Sequence, residues 1–306
     1  GAIDYGMISF EEDLYLGDGQ TTQEAIRELD RPKEQPFFLG LGYRRPHAPF
    51  IAPEQYFWPY PIETLALPDP GDRGDVPEIA FSVTPPNYGD PEAMLQMKMS
   101  YLASVSHLDA EVGRLLRYLE AREMMDNTII VFFSDHGFQL GEHGEWHKNT
   151  LFEESARVPL MIRLPGQTDS IRREEVVELI DLFPTLQELC GLPPAEQALN
   201  GQSLVPLLSG DGTGWAPKPA FTQVRRKTGD GAPAMGYSLR TPRHRYTEWW
   251  AEGDNPRFIG AELYDLEHDP RTEDNLAGQS EVKELQDRLS RTIARYRDPS
   301  SAGSAL

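Results

Sequence analysis

The chain has 306 residues, with 29 Lys and Arg against 49 Asp and Glu, a formal charge of −20. That balance argues against a nucleic-acid binder and against a protein held on anionic lipid, because both need clustered cations. Hydrophobic residues at 39% and aromatics at 10% are enough for a packed core, in one large domain or a large one with a smaller companion. One cysteine, Cys190, leaves no internal disulfide and no multi-cysteine zinc site.

No apolar run approaches the roughly 20 residues of a membrane-spanning helix. Residues 1–16 carry acids where a secretory signal would carry a basic start. The first element expected is a short helix over Thr21–Leu29, with Thr22 as N-cap and Ala25, Ile26 and Leu29 on one face. Residues 36–43 form a continuous apolar run that reads as a buried strand. Residues 44–90 are rich in Pro and Gly without a period, a long irregular excursion of the kind that is usually functional or disordered.

Asp90-Pro91 supplies an N-cap and an N1 proline for the strongest helix. Leu95, Met99, Leu102, Val105, Leu108, Val112, Leu115 and Leu119 recur every three or four residues, one buried stripe. Strands are expected at Thr128–Ser134 and Val158–Leu164, and helix at 174–191, with a break and restart where Asp181 precedes Pro184. Cys190 shares an apolar face with Leu186 and reads as a buried core cysteine. Strands separated by helices predict an α/β fold with a mainly parallel central sheet.

The Ser209–Gly214 segment marks a boundary, giving an α/β domain over residues 1–210 and a smaller unit over 211–306. The smaller unit holds β-branched and aromatic runs at Phe221–Val224, Gly236–Arg240 and Arg245–Trp250. These suit an antiparallel sheet, closed by a helix from about Val282 to Tyr296.

Two loops after predicted strands concentrate the chemistry, where open α/β sheets place their ligands. In the first, Gly42–Phe50, Pro46 and Pro49 flank His47 and would hold it extended, fixing an imidazole that donates to a substrate oxygen. A surface-turn histidine is the competing reading. The second loop runs from Ser134 to Lys148 and contains Asp135, His136, Gly137, His143, His147 and Lys148. A carboxylate and an imidazole at the end of an apolar strand have little reason to be there unless paired or metal-bound. Neighbours on a strand point to opposite faces, so one metal can take both only if the chain bends, which Gly137 allows. Solvated loop charges are the bland alternative. By donor chemistry alone, an imidazole suits Zn²⁺ or Mn²⁺ better than Ca²⁺.

The run Ser134-Asp135-His136-Gly137, then Leu140–Trp146 and Lys148, resembles the second metal-and-sulfate segment of type I sulfatases, members of the alkaline-phosphatase superfamily. Gly42-Tyr43 with Pro46-His47-x-Pro49-Phe50 resembles the histidine loop of the iduronate-2-sulfatase-like branch. Val158–Leu160, Asp181–Leu186, Gly236–Thr241 and Glu262–Leu266 continue the match in order. The resemblance spans Thr21 to Leu276. It implies an alkaline-phosphatase-like α/β sandwich with a small C-terminal β-rich subdomain, and hydrolysis of sulfate monoesters, of sugars in this branch.

By the same resemblance, Asp135 and His136 would be ligands of Ca²⁺, with Mn²⁺ or Zn²⁺ as alternatives. Lys148 would contact the sulfate ester and His47 would donate to the sulfate or its leaving oxygen. His143 and His147 would shape the loop, and Phe138 would lie near the substrate entrance, with a core or lid position as the alternative. The expected partner is a sulfated small molecule or carbohydrate, in a periplasmic, secreted or lysosomal setting, with neither nucleic acid nor membrane.

One departure decides the mechanism. These enzymes use a formylglycine made from a Cys/Ser-x-Pro-x-Arg segment, and none occurs in the 306 residues. Cys190 is followed by Gly-Leu-Pro-Pro and does not qualify. The paired aspartates and the Lys/His pair that precede the second segment in such proteins are likewise missing. The chain is therefore expected to be a C-terminal portion whose site is completed by an N-terminal polypeptide, and to bind metal weakly alone. Alternatives are a phosphonate or phosphodiester hydrolase of the same superfamily, or a fragment acting only in binding or structure, with Tyr246, Trp249 and Trp250 as a sugar platform.

Overall fold

A computed structural model describes residues 5–8, 17–32, 34–71, 73–82, 90–146, 148–210 and 212–297. In chain order the main elements are β1 (Tyr5–Ile8), α1 (Asp18–Asp30), β2 (Phe50–Pro53), α2 (Pro91–Ala121), β3 (Ile130–Phe133), α3 (Glu153–Ala156) and β4 (Leu160–Arg163). There follow α4 (Leu182–Leu189), α5 (Val205–Ser209), β5 (Ala220–Lys227), β6 (Pro233–Arg240), β7 (His244–Ala251), β8 (Arg257–Asp265) and α6 (Lys283–Arg297).

The α/β alternation is present. The central strands, however, form two separate pairs among the described residues, β1 parallel to β2 and β3 antiparallel to β4, rather than one mainly parallel sheet. The apolar run 36–43 is not a strand, and Phe38 is 87% exposed. Among the described residues it pairs with no strand, so no hydrogen-bonded ladder holds it.

Helix α2 starts as expected, Asp90 accepting from the Glu92 amide and proline opening the first turn. Its buried face is rotated from the expected stripe. Met97, Ser100, Ala103, Ser104, His107, Glu111 and Leu119 are buried, while Val105 is exposed. Small residues win this face because they let β2 approach closely, with Phe50 and Ala52 fully buried beside Met97 and Ala103. Helix α1 also begins earlier than expected, capped at Gly17. Thr22 is buried inside it, its hydroxyl donating to the Asp18 carbonyl instead of capping.

The helix expected over 174–191 starts only at Leu179. A reciprocal capping box between Glu178 and Asp181 sets the start, and Pro184 sits in the first turn of α4, where no amide partner is lost. Cys190 is exposed, not buried, because it lies at the C-cap, past the last packed turn of α4.

β5 to β8 form a four-stranded antiparallel sheet in sequential order, with α6 packed on one face through Leu289 and Ile293. The fourth strand, β8, was not among the expected runs. The other face shares a core with the preceding half of the chain, where Trp249 and Tyr264 meet Ala80, Phe81, Leu151 and Phe152. Gly236 makes this closeness possible, since a Cβ there would lie 2.6 Å from Trp249.

Candidate active site

The two chemistry-bearing loops are seated side by side by an aromatic cluster. Phe50, at the end of the first loop, meets Phe138 of the second edge-on at 5.6 Å, and both contact Tyr101 of α2. Ala48, Leu140 and the fully buried Trp146 complete the cluster. Phe138 is half-buried and packs against this cluster.

The first loop is a turn and not the extended segment that two prolines suggest. The His47 amide donates to the Arg44 carbonyl at 2.8 Å, and the imidazole Nδ1 lies 2.7 Å from the Ala48 carbonyl. The side chain is exposed, and because a carbonyl only accepts, Nδ1 carries a proton. The turn is tied down from below by Asp18. Its carboxylate is 2% exposed and accepts from the Arg44 and Arg45 amides, both at 2.8 Å. Sequence reasoning passed over Asp18, which carries no local signal other than an acid at a helix start.

In the second loop the chain bends at Asp135, directly after β3. Asp135 Oδ2 and His136 Nε2, which an extended strand would send to opposite faces, come within 3.6 Å of each other. His136 Nδ1 lies 2.8 Å from the Gly137 carbonyl, which assigns the proton to Nδ1 and leaves Nε2 with its lone pair. Gly137 is pinned as well. Its amide donates to Ser155 at 2.9 Å, and a Cβ would lie 2.0 Å from the Glu154 carbonyl oxygen. A carboxylate oxygen and an unprotonated imidazole nitrogen side by side fit part of a divalent-cation shell. Two donors do not complete one, since Ca²⁺ takes about six to eight. Among the described residues the one group of three or more clustered metal-binding side chains is Asp265, Glu267 and His268, where Arg243 already pairs with both acids.

Lys148 is half-buried and makes no hydrogen bond or ion pair among the described residues. The segment around it is held from both sides. Before it, Glu145 is fully buried, with Ser82 donating to it and Arg73 3.5 Å away. Burial pushes the Glu145 carboxyl up despite these partners. After it, the Asn149 carbonyl accepts from Arg226 of β5. His143, with a left-handed backbone, turns into the protein, stacking on Phe152 at 4.0 Å and bonding Thr272 at 3.1 Å. It shapes the loop rather than facing a ligand. His147 lies outside the described residues.

The Sulfatase family model matches residues 4–192, more than half of the chain. The chain belongs to the sulfatase family. The model of the N-sulphoglucosamine sulphohydrolase C-terminal region matches residues 141–299. Iduronate 2-sulfatase of Mus musculus is 33% identical over 87% of this chain, and the chain spans 62% of that protein's length. Phosphonate monoester hydrolase of Silicibacter pomeroyi superposes with a TM-score of 0.74 at 26% identity, covering 92% of this chain and 59% of that one. A structure solved in complex with its substrate D-glucosamine-2-N,6-O-disulfate superposes with a TM-score of 0.69 at 23% identity, over 92% and 69% of the two chains. The last likeness concerns the fold.

In this sulfatase chain the C-terminal sheet holds the second loop through Glu153. Its Oε1 accepts from Arg240 at 2.9 Å and from Arg245 at 2.6 Å, and it follows Phe152 of the shared core. Burial opposes ionisation of Glu153, but the two guanidiniums outweigh it and hold the carboxyl below its ordinary range. Tyr246 and Trp249 are buried in the sheet's own cores, and Trp250 lies under Arg297 at 3.5 Å. The sugar platform considered for these three aromatics is therefore not formed, because their faces are already covered.

Proposed function

We propose that this chain carries the leaving-group side of a sulfatase active site and that the full-length protein hydrolyses sulfate monoesters of a sugar. The observation that carries the reading is the bend after β3, which brings Asp135 and His136 within 3.6 Å of each other in the same loop as Lys148, which makes no ion pair among the described residues. Asp135 and His136 would hold a divalent cation, Ca²⁺ ahead of Mn²⁺ or Zn²⁺, which when bound polarises the sulfate oxygens. Lys148 places its ammonium against the bridging oxygen and offsets the charge that builds there as the S–O bond breaks. His47, fixed by its turn with Nδ1 on the Ala48 carbonyl, donates a proton from Nε2 to the departing alcohol in its imidazolium form. The formylglycine nucleophile of the family has no source among these residues, so an N-terminal portion completes the site. The family resemblance supports a periplasmic, secreted or lysosomal setting; among the described residues no helix is long and apolar enough to cross a membrane.

A phosphonate ester hydrolase is the second reading, favoured by the 0.74 TM-score to the Silicibacter pomeroyi enzyme. Sulfate and phosphonate monoesters are similar tetrahedral anions, and these loops separate them poorly. The test is steady-state hydrolysis of an aryl sulfate and an aryl phosphonate by the full-length protein. The sulfate is expected to be preferred, and Lys148→Ala to lower turnover by roughly 10²–10³, the scale of one lost transition-state contact. Preference for the phosphonate selects the second reading, and unchanged turnover removes Lys148 from the site.

A further inference from the structure

In a chain of charge −20, strand β5 ends in three consecutive cations, Arg225, Arg226 and Lys227. They line a cavity of about 490 Å³ together with Gly231 and Pro233 from the following turn. That volume falls within the range of small-molecule sites. β5 is the edge strand of its sheet, and residues that alternate between its two faces line this open depression together. Three carboxylates stand near these cations, the buried Glu145 interacting electrostatically with Arg226. Glu252 is 3.5 Å from Arg225, and Asp230, in the same turn, is engaged by the Thr228 hydroxyl and the Ala232 amide. Lys227 makes no ion pair among the described residues. The cavity adjoins the candidate site. Arg226 lines it and also donates to the carbonyl of Asn149, the residue after Lys148.

Resting on the sulfatase reading above, we infer that this cavity is an anion subsite for a second acidic group, sulfate or carboxylate, on the sugar beside the one whose sulfate meets Lys148. Arg225 and Lys227 are the recognising charges, and Arg226 joins the subsite to the Lys148 loop. The substrate is then a polyanionic oligosaccharide rather than a simple aryl sulfate. A nucleic acid, although polyanionic, does not fit, because its long charged backbone would meet the acidic remainder of the surface.

The test is calorimetric binding of two probes, monosulfated glucosamine and a heparin-derived disaccharide carrying two sulfates and a carboxylate. Arg225→Ser/Lys227→Ser is expected to weaken the disaccharide about fivefold to tenfold, the scale of two exposed ion pairs, and to leave the monosaccharide unchanged. Both residues are exposed, and Arg225→Gln/Lys227→Gln, with an unchanged melting temperature, serves as the second variant. Unchanged disaccharide affinity, or equal weakening of both probes, overturns the subsite. So does wild-type protein that binds no disaccharide, or binds a single-stranded oligonucleotide equally well. Disaccharide binding that needs Arg225 and Lys227 but ignores Lys148→Ala keeps the subsite and removes the assigned role of Lys148.

Discussion

Glycine 137 leaves no room for a side chain, since a Cβ would lie 2.0 Å from the Glu154 carbonyl oxygen and 3.1 Å from that of Arg157. Gly137→Ala must push the Asp135-His136 bend away from α3. The expected cost is about 1–3 kcal/mol, typical of overpacking, read as a lowered urea midpoint. Asp18 does the corresponding service for the His47 turn. Asp18→Ala strips two amide donors of their acceptor and should cost roughly 1–3 kcal/mol, while Asp18→Asn, which keeps one acceptor oxygen, should cost less. Equal stability of Asp18→Ala and wild type in urea would show that the clamp is dispensable. Neither effect is visible from residue type, because each depends on a contact with a distant segment.

At the scale of elements, the second loop is held between β3 and the C-terminal sheet, and Glu153 with Arg240 and Arg245 is the polar tie between them. Glu153→Gln removes the carboxylate that both guanidiniums share. A loss of about 3 kcal/mol is expected, at the low end for breaking a buried pair because Arg240 is 23% exposed. The folded-state carboxyl lies below its unfolded value, so its stabilisation is present above the unfolded pKa and is lost as pH falls through the folded one. Melting temperature should therefore drop below about pH 4, and by less in Glu153→Gln. Parallel wild-type and variant acid curves would remove Glu153 as the cause. The rotated face of α2 belongs to this scale too. Apolar periodicity locates a helix, but close approach of β2 selects the small residues as its buried side.

For the whole molecule, a charge of −20 looks unsuited to an anionic ester. Screening over about 10 Å or less confines distant acids, so in the proposed reading Lys148, His47 and the cations at the end of β5 would govern what approaches the loops. The same accounting applies to metal. With two donors at the bend, the chain alone should bind Ca²⁺ more weakly than about 1 μM, against the six to eight ligands the ion takes. Sub-micromolar affinity by calorimetry would sink that expectation and require further ligands from within these residues.

What the sequence by itself determined was local. The Asp90-Pro91 helix start, three of the four C-terminal strands, the final helix and the two loops follow from caps, periodicity and turn residues within short windows. The family was legible because its motifs are contiguous and keep their order from Thr21 to Leu276. Tertiary structure alone decided what depends on a partner far along the chain. It left 36–43 outside any sheet, turned His47 over the Asp18 carboxylate, exposed Cys190 and buried Tyr246 and Trp249 of β7. It also brought Arg226 to the loop of Lys148 across 77 residues. Burial and charge pairing are sums over neighbours in space, and a linear pattern records only neighbours in sequence.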